Sequence, residues 1–298
     1  MPRDVAKGRT IDLTLIVLAA IWGSSYLAAK SLLGVFSVAG LLSFRFALTT
    51  LALVLLWLTR RRPVQRRELQ IALGLGLIQA VVFTVETLGV SRTSAANAGL
   101  IISITIIFTP IVESLAKRSW LPVPFFVATA TALLGIGLLV TSQGLHRPSL
   151  GDLLMLTAAV VRSVHVTWMG RLTKGHDYDS LFLTMVQCAL CFVLFSVVGG
   201  ANALHQAGHL HPPQWFAGCF LGVVCSAVGF VVLLWSVRLT SASRVSLLLG
   251  TEPLWAVVVA LVVGHEVIGL VGVIGGIVII ASTYAAQGVE QRHRLATY

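Results

Sequence analysis

Ten apolar blocks, each close to 20 residues and divided by short polar connections, dominate this sequence. They cover roughly 12–29, 36–59, 69–90, 94–116, 122–141, 150–170, 180–199, 214–235, 242–263 and 266–284. A helix rises 1.5 Å per residue, so a block of this length crosses a hydrocarbon core of about 30 Å. In hydrocarbon no water satisfies a backbone N–H or C=O, which leaves the helix as the structure for such a block. Charge agrees. Only 11% of residues are charged and the mean hydropathy is +0.92, whereas a soluble domain carries about 25% charged residues. A soluble globular, disordered or disulfide-stapled chain is excluded. The longest connection, about Gly200 to Pro213, is too short for a separate domain.

The net charge of +10 raises the question of nucleic acid, and position answers it. With the N-terminus taken as inside, 15 of the 21 Lys and Arg residues fall on inner segments: Arg3, Lys7, Arg9, Arg60, Arg61, Arg62, Arg66, Arg67, Lys117, Arg118, Arg171, Lys174, Arg238, Arg292 and Arg294. Only Lys30, Arg92 and Arg147 fall outside, and Arg45, Arg162 and Arg244 lie within spans. This bias orients ten helices with both termini cytoplasmic. The basic residues are orientation signals, so no nucleic-acid partner is expected. The first span follows a basic segment, as a signal peptide does, but its length and the lack of a small-x-small site favour an uncleaved helix.

The chain also repeats itself. Shifted by 147 residues, Gln79–Leu100 faces Ser226–Leu247 with nine identities in 22 positions, including Thr93-Ser94-Ala95 against Thr240-Ser241-Ala242. The shift pairs span 3 with span 8 and span 4 with span 9. Five spans per half is an odd number, so paired helices must cross in opposite directions. The expected fold is therefore an all-α integral membrane protein of two inverted five-helix repeats, residues 1–146 and 147–298. Such architecture places a substrate site near the midplane between repeats.

The residues that carry this pattern resemble the EamA type of the drug/metabolite transporter superfamily. They are Trp22-Gly23-Ser24-Ser25, Ser43-Phe44-Arg45-Phe46, Thr93-Ser94-Ala95-Ala96-Asn97, Thr240-Ser241-Ala242-Ser243, Thr251-Glu252-Pro253-Leu254, Glu266 and Gly275-Gly276-Ile277-Val278-Ile279-Ile280. Within that family the chain is most similar to bacterial aromatic amino-acid and metabolite exporters. The resemblance implies ten helices around a central cavity lined by spans 1, 3, 4, 6, 8 and 9, a bacterial inner-membrane location, and export of small metabolites. It implies structural packing for Arg45. His265 between Gly264 and Glu266, and Lys117-Arg118 in the first half, depart from the family's loop pattern.

Ionisable groups at membrane depth cost several kcal/mol, which makes them candidates for a site. Gln79, Phe83 and Glu86 share one face of span 3 at i, i+4, i+7. Glu86 meets either a substrate amine or coupling proton, or Arg92. Arg162 and His165 lie at i, i+3 on span 6. Arg162 holds either a substrate carboxylate or local partners such as backbone carbonyls and Asp152, and His165 titrates near neutral pH. Glu252-Pro253 in span 9 and Pro110 in span 4 interrupt their helices and are expected as hinges. Trp22 and Trp255 are the deep tryptophans, available for stacking or packing. The expected substrate-binding set is Trp22, Ser24, Gln79, Phe83, Glu86, Asn97, Arg162, His165, Glu252 and Trp255.

Bland readings suit the remaining motifs. Cys188-x-x-Cys191 has no charged or His neighbour and reads as packing. Gly218/Gly222 and Gly272/Gly276 read as close helix approaches. His205, His209 and His211 read as solvated loop residues. No phosphate loop, H-E-x-x-H or G-x-S-x-G occurs. The expectation is thus a secondary transporter without cofactor or metal, not an enzyme, with the lipid bilayer and a small-molecule cargo, amino acids foremost, as its partners and a monomer as its expected state. Uptake or exchange of another metabolite, or lipid modification by a membrane enzyme, are the alternatives. Accessibility tags after Arg62, Lys174 and Arg292 should react only from the cytoplasm and a tag after His209 only from outside; labelling of both sets from one side would overturn the orientation.

Overall fold

The computed structural model describes residues 2–60, 62–93, 95–141, 149–255, 258 and 269–296. Among them the chain is helical throughout, without a strand. We label α1 Pro2–Leu33, α2 Val38–Leu58, α3 Arg66–Arg92, α4 Ala95–Ile102, α5 Thr105–Lys117, α6 Val123–Thr141, α7 Leu150–Thr173, α8 Ser180–Ala207, α9 Pro212–Cys219, α10 Gly229–Leu239, α11 Ala242–Leu249 and α12 Leu270–Ala296. A π-helical stretch, Phe220–Val228, joins α9 to α10 without interruption.

Among the described residues seven helices are long and apolar enough to cross a membrane, and Val123–Leu138 is a shorter apolar one. The two remaining spans are broken. Span 4 splits at Ser103-Ile104 into α4 and α5, and span 9 splits at Gly250-Thr251 after α11. The expected ten-helix count is met with these pieces. Local chemistry sets the starts: Ser37 accepts from Gly40 N, Ser149 and Asp152 form a capping box, Asp179 accepts from Leu181 N, and Ser241 accepts from Arg244 N. One expectation is corrected. The segment from Gly200 is not a loop, because α8 continues to Ala207 before Pro212 opens α9.

Interhelical ties fix the direction of each span. Arg60 pairs with Asp179, Glu68 accepts from Asp179 N, Arg171 donates to Ala116 O, Lys174 to Thr240 O, and Arg238 to His176 O. The end of α2, the start of α3, the ends of α5 and α7, the start of α8 and the end of α10 therefore share one basic face. At the other face Lys30 donates to Thr93 O, Asp152 accepts from Thr93, and Ser37 bonds Asn202. Hence α3 ends on the face opposite to the one where α10 ends. Spans 3 and 8 run antiparallel, as an inverted repeat demands.

Helix packing follows the same pseudo-two-fold axis. α2 lies along α8, α6 along α12, and α5 against α11, each a span packed on its own repeat mate. The contact of α3 with α7 is matched by that of α1 with the π stretch and α10. The symmetry extends to single bonds. Lys30 at the end of span 1 reaches Thr93 O at 3.1 Å, and Lys174 at the end of span 6 reaches Thr240 O, the mate of Thr93, at 3.1 Å. The breaks obey it too: Ser103-Ile104 and Gly250-Thr251 stand 147 residues apart, and α4 and α11 are each eight residues long.

Glycine permits the closest approaches. A Cβ on Gly199 would sit 2.2 Å from the Ala39 carbonyl carbon, and one on Gly218 would sit 2.4 Å from the Phe44 ring. A Cβ on Gly137 would meet nothing within 4 Å. Gly199→Ala must part α2 from α8 and should cost about 1–3 kcal/mol, whereas Gly137→Ala should be neutral or stabilising because alanine is the better helix former. Thermal unfolding of the detergent-solubilised variants checks both signs.

Candidate functional site

A cavity lies between the repeats, bordered by spans 1, 2, 3, 6, 7, 8 and 9. Of the expected residues it brings together Trp22, Gln79, Phe83, Glu86, Arg162, His165 and Glu252. Their spacing explains this: Gln79, Phe83 and Glu86 recur at i, i+4, i+7 and present one helix face.

Two expected residues stand elsewhere, which corrects their assignment to the cavity lining. Ser24 donates to Ile21 O on its own helix at 2.8 Å. It lies two positions past Trp22, about 200° around the helix, and with Trp255 borders a separate groove beside Phe220. The side chain of Asn97, and residues 264–266, lie outside the described residues. The prolines are likewise displaced from the breaks. Pro110 lies inside α5, past the break at Ser103-Ile104. Pro253 lies in the first turn of the helix that restarts at Glu252, where its missing N–H leaves no bond unmade. The breaks meet each other instead: a Cβ on Gly250 would sit 2.1 Å from Ile106 Cγ1.

Four charged side chains border the cavity. Arg162 Nη2 lies 3.4 Å from Glu252 Oε1, with side-chain exposures of 16% and 5%. Tyr26 extends its hydroxyl to the other oxygen of Glu252 at 3.5 Å. Thus Arg162 answers neither Asp152 nor backbone; Asp152 is engaged by Ser149 N and Thr93. The Arg162 guanidinium also rests 4.8 Å from the centre of the Trp22 ring, an attractive placement over the electron-rich face. Trp22 in turn donates Nε1 to Cys225 O at 2.8 Å. One face of that indole and its N–H are therefore already occupied.

The other two charges lack opposite partners. Arg45 donates Nε to Ser226 Oγ at 2.7 Å and lies 4.9 Å from the centre of the Phe83 ring. It has no carboxylate within ion-pair distance among the described residues, and neither does Glu86 have a cation; in particular Glu86 does not meet Arg92. His165 Nε2 lies 3.2 Å from Gln187 Oε1, and Gln187 donates its Nε2 to Leu183 O, so the imidazole presents N–H to the amide oxygen.

The π stretch supports this side of the cavity. Its wider turn places Ser226 Oγ on Leu221 O, five residues back. Thr49 Oγ1 lies 2.8 Å from Gly222 O, and Trp22 holds Cys225 O. Arg45, Thr49 and Trp22 from spans 1 and 2 thus all rest on the irregular turn, a feature that concentrates at functional sites. Phe46, Phe83 and Phe230 form an aromatic wall with centroids 5.2 to 6.4 Å apart. Sequence reasoning missed Tyr26, Gln187 and Phe230 as lining residues. Tyr26 is one helical turn from Trp22, so a search of that face at i+4 finds it.

A smaller cavity lies between the two breaks and is bordered by Ser103, Thr105, Thr109, Ser246, Gly250 and the Arg162–Glu252 pair. The pair therefore forms the wall between the central cavity and the broken helix ends. Cys188 and Cys191 are buried against α3, where Cys191 reaches Gly76 O, in keeping with packing. No cluster of three or more metal-ligating side chains occurs among the described residues.

The model of the EamA-like transporter family matches twice, over residues 9–141 and 149–286. The chain belongs to this family. Its EamA membership makes the protein a multi-pass membrane protein of a transporter family, and the double match falls on the two halves that the contacts relate. Among solved structures, a protein crystal structure aligns with 95% of this chain and 98% of its own at a TM-score of 0.70 and 17% identity; that likeness concerns the fold. No curated protein matches the chain.

The Arg162–Glu252 pair yields a test. Truncating one partner leaves a buried charge unanswered, so Arg162→Met or Glu252→Leu alone should destabilise by about 3–5 kcal/mol, while the double variant recovers most of the loss. Unfolding midpoints of the four proteins in detergent check this; additive losses would show that the pair does not interact.

Proposed function

We propose that this EamA-family protein is a secondary transporter, not an enzyme, that exports small amphipathic metabolites, aromatic amino acids foremost, across the bacterial inner membrane. The observation that carries the reading is the lining of the central cavity. Two arginines, two carboxylates and an aromatic wall share one chamber, which suits a cargo with charges of both signs and an apolar body. A polyanionic cargo would meet as many carboxylates as guanidinium groups, which argues against nucleotide-sugar exchange.

In this reading the repeats, residues 1–146 and 147–298, rock against each other with both termini in the cytoplasm. Motion is concentrated where spans 4 and 9 are broken, because there the regular ladder gives way to the tighter three-residue turns of Ile104 N on Ile101 O and Thr251 N on Leu248 O. The role expected of Pro110 and Pro253 passes to the Ser103-Ile104 and Gly250-Thr251 breaks beside them. The cycle calls on no cofactor, and a single chain supplies the cavity lining, so a monomer suffices for it.

Purified protein in proteoliposomes should carry labelled phenylalanine well above protein-free vesicles. Gly250→Ala should slow that flux at least tenfold by driving a methyl group into Ile106, and adding Ile106→Ala should restore it. Absence of amino-acid flux in the unaltered protein would overturn the substrate assignment; flux indifferent to Gly250→Ala would overturn the hinge.

A further inference from the structure

The central cavity contains two charges that no described residue neutralises at contact distance. Arg162 and Glu252 answer each other. Arg45 and Glu86 do not: they stand on spans 2 and 3, border the same chamber, and make no ion pair among the described residues. Only Nε of Arg45 is engaged, by Ser226, and the guanidinium is braced on Phe83. Its two terminal nitrogens, the fork that matches a carboxylate, donate to no described residue. Glu86 accepts no hydrogen bond from any described residue. A charge in a low-dielectric chamber without a partner is costly, and here one of each sign has been left open.

We propose that Arg45 and Glu86 are the two poles of the cargo site: Arg45 takes the carboxylate of a zwitterion and Glu86 takes its ammonium group. This rests on the amino-acid reading above and assigns its polarity. Arg162 is the weaker candidate for the carboxylate, because Glu252 already occupies it and Trp22 covers one face. Phe83 carries the Arg45 guanidinium and stands three residues before Glu86 on the same helix, and Phe230 meets it at 5.4 Å. An α-amino acid held at both charges would then set its side chain against these rings. The assignment gives Arg45 a direct part in binding, beyond the packing that its sequence motif implies. His165 and Tyr26 also border the chamber, but their polar atoms are engaged by Gln187 and Glu252.

Competition against labelled phenylalanine binding, in detergent, separates the poles. The competitors are phenylalanine, its decarboxylated form 2-phenylethylamine, and its deaminated form 3-phenylpropionate. Unaltered protein should prefer phenylalanine about tenfold or more over each, since a charge-assisted contact is lost each time. Arg45→Gln should erase the preference over 2-phenylethylamine and keep the preference over 3-phenylpropionate. Glu86→Gln should do the reverse. Arg45→Lys should restore part of the carboxylate preference, which a merely structural arginine would not do. If both Gln variants weaken all three ligands alike, or exchange their patterns, the assignment is overturned while the amino-acid reading stands. If unaltered protein does not distinguish phenylalanine from its analogues, both fall.

Discussion

At membrane depth a charge or an open backbone group must be answered from within the protein, and this requirement organises the molecule. Its cheapest form is the symmetric pair of lysines. Lys30 and Lys174 each end a span and each close the carbonyl of a threonine that begins a broken helix in the same half of the packing pattern. Asp152 reinforces one of these junctions through Thr93, and Asp12 ties the start of span 1 to Arg244 in the first turn of α11. The two junctions lie on opposite faces. Together they hold the two eight-residue half-helices, which have too few turns to be stable alone, against spans 6 and 1.

The midplane pair is a different matter. Replacing a buried ion pair with apolar residues of equal volume is often neutral or favourable, whereas breaking it is severe. Arg162 and Glu252 therefore contribute little net stability over an apolar wall. Placed between the central cavity and the meeting point of the two breaks, the pair instead connects what enters the chamber to the segments free to change shape. Trp22 extends that connection to the π stretch through Cys225 O, so span 1 and span 8 sense the position of the same guanidinium.

The fold was legible in the sequence because its two signals are physically obligatory. Hydrocarbon thickness fixes the block length, and an odd number of spans per repeat fixes the inversion. The breaks were half legible. Proline drew attention to spans 4 and 9, but the interruptions fall at Ser103-Ile104 and Gly250-Thr251, where no proline stands. Gly250 was the better sign: it has no room for a side chain beside Ile106. Ser24 shows the limit of reasoning from a motif, since residues two apart on a helix face nearly opposite ways, whereas Ser25, three past Trp22, does border the cavity. The π stretch had no signal in the sequence, since the side chains that meet its carbonyls, Trp22 and Thr49, come from distant spans. Arg45 reads as packing in the sequence because its environment, the Phe83 ring and Ser226 from other spans, exists only after folding.

Scaffold and lining obey different symmetries, and this follows from what each must do. The repeat relates Glu86 to Leu233, which faces the same cavity, and Glu252 to Thr105, which faces the smaller one. The junctions and breaks are duplicated; the charges are not. An inverted scaffold needs matched halves, because the inward-closed and outward-closed arrangements must be close in free energy for a few kcal/mol of cargo binding to move the population between them. A cargo with distinct ends needs the opposite, since a lining with two-fold symmetry would offer each end the same group. Duplicated junctions and breaks around an unduplicated set of cavity charges are what these two requirements produce together.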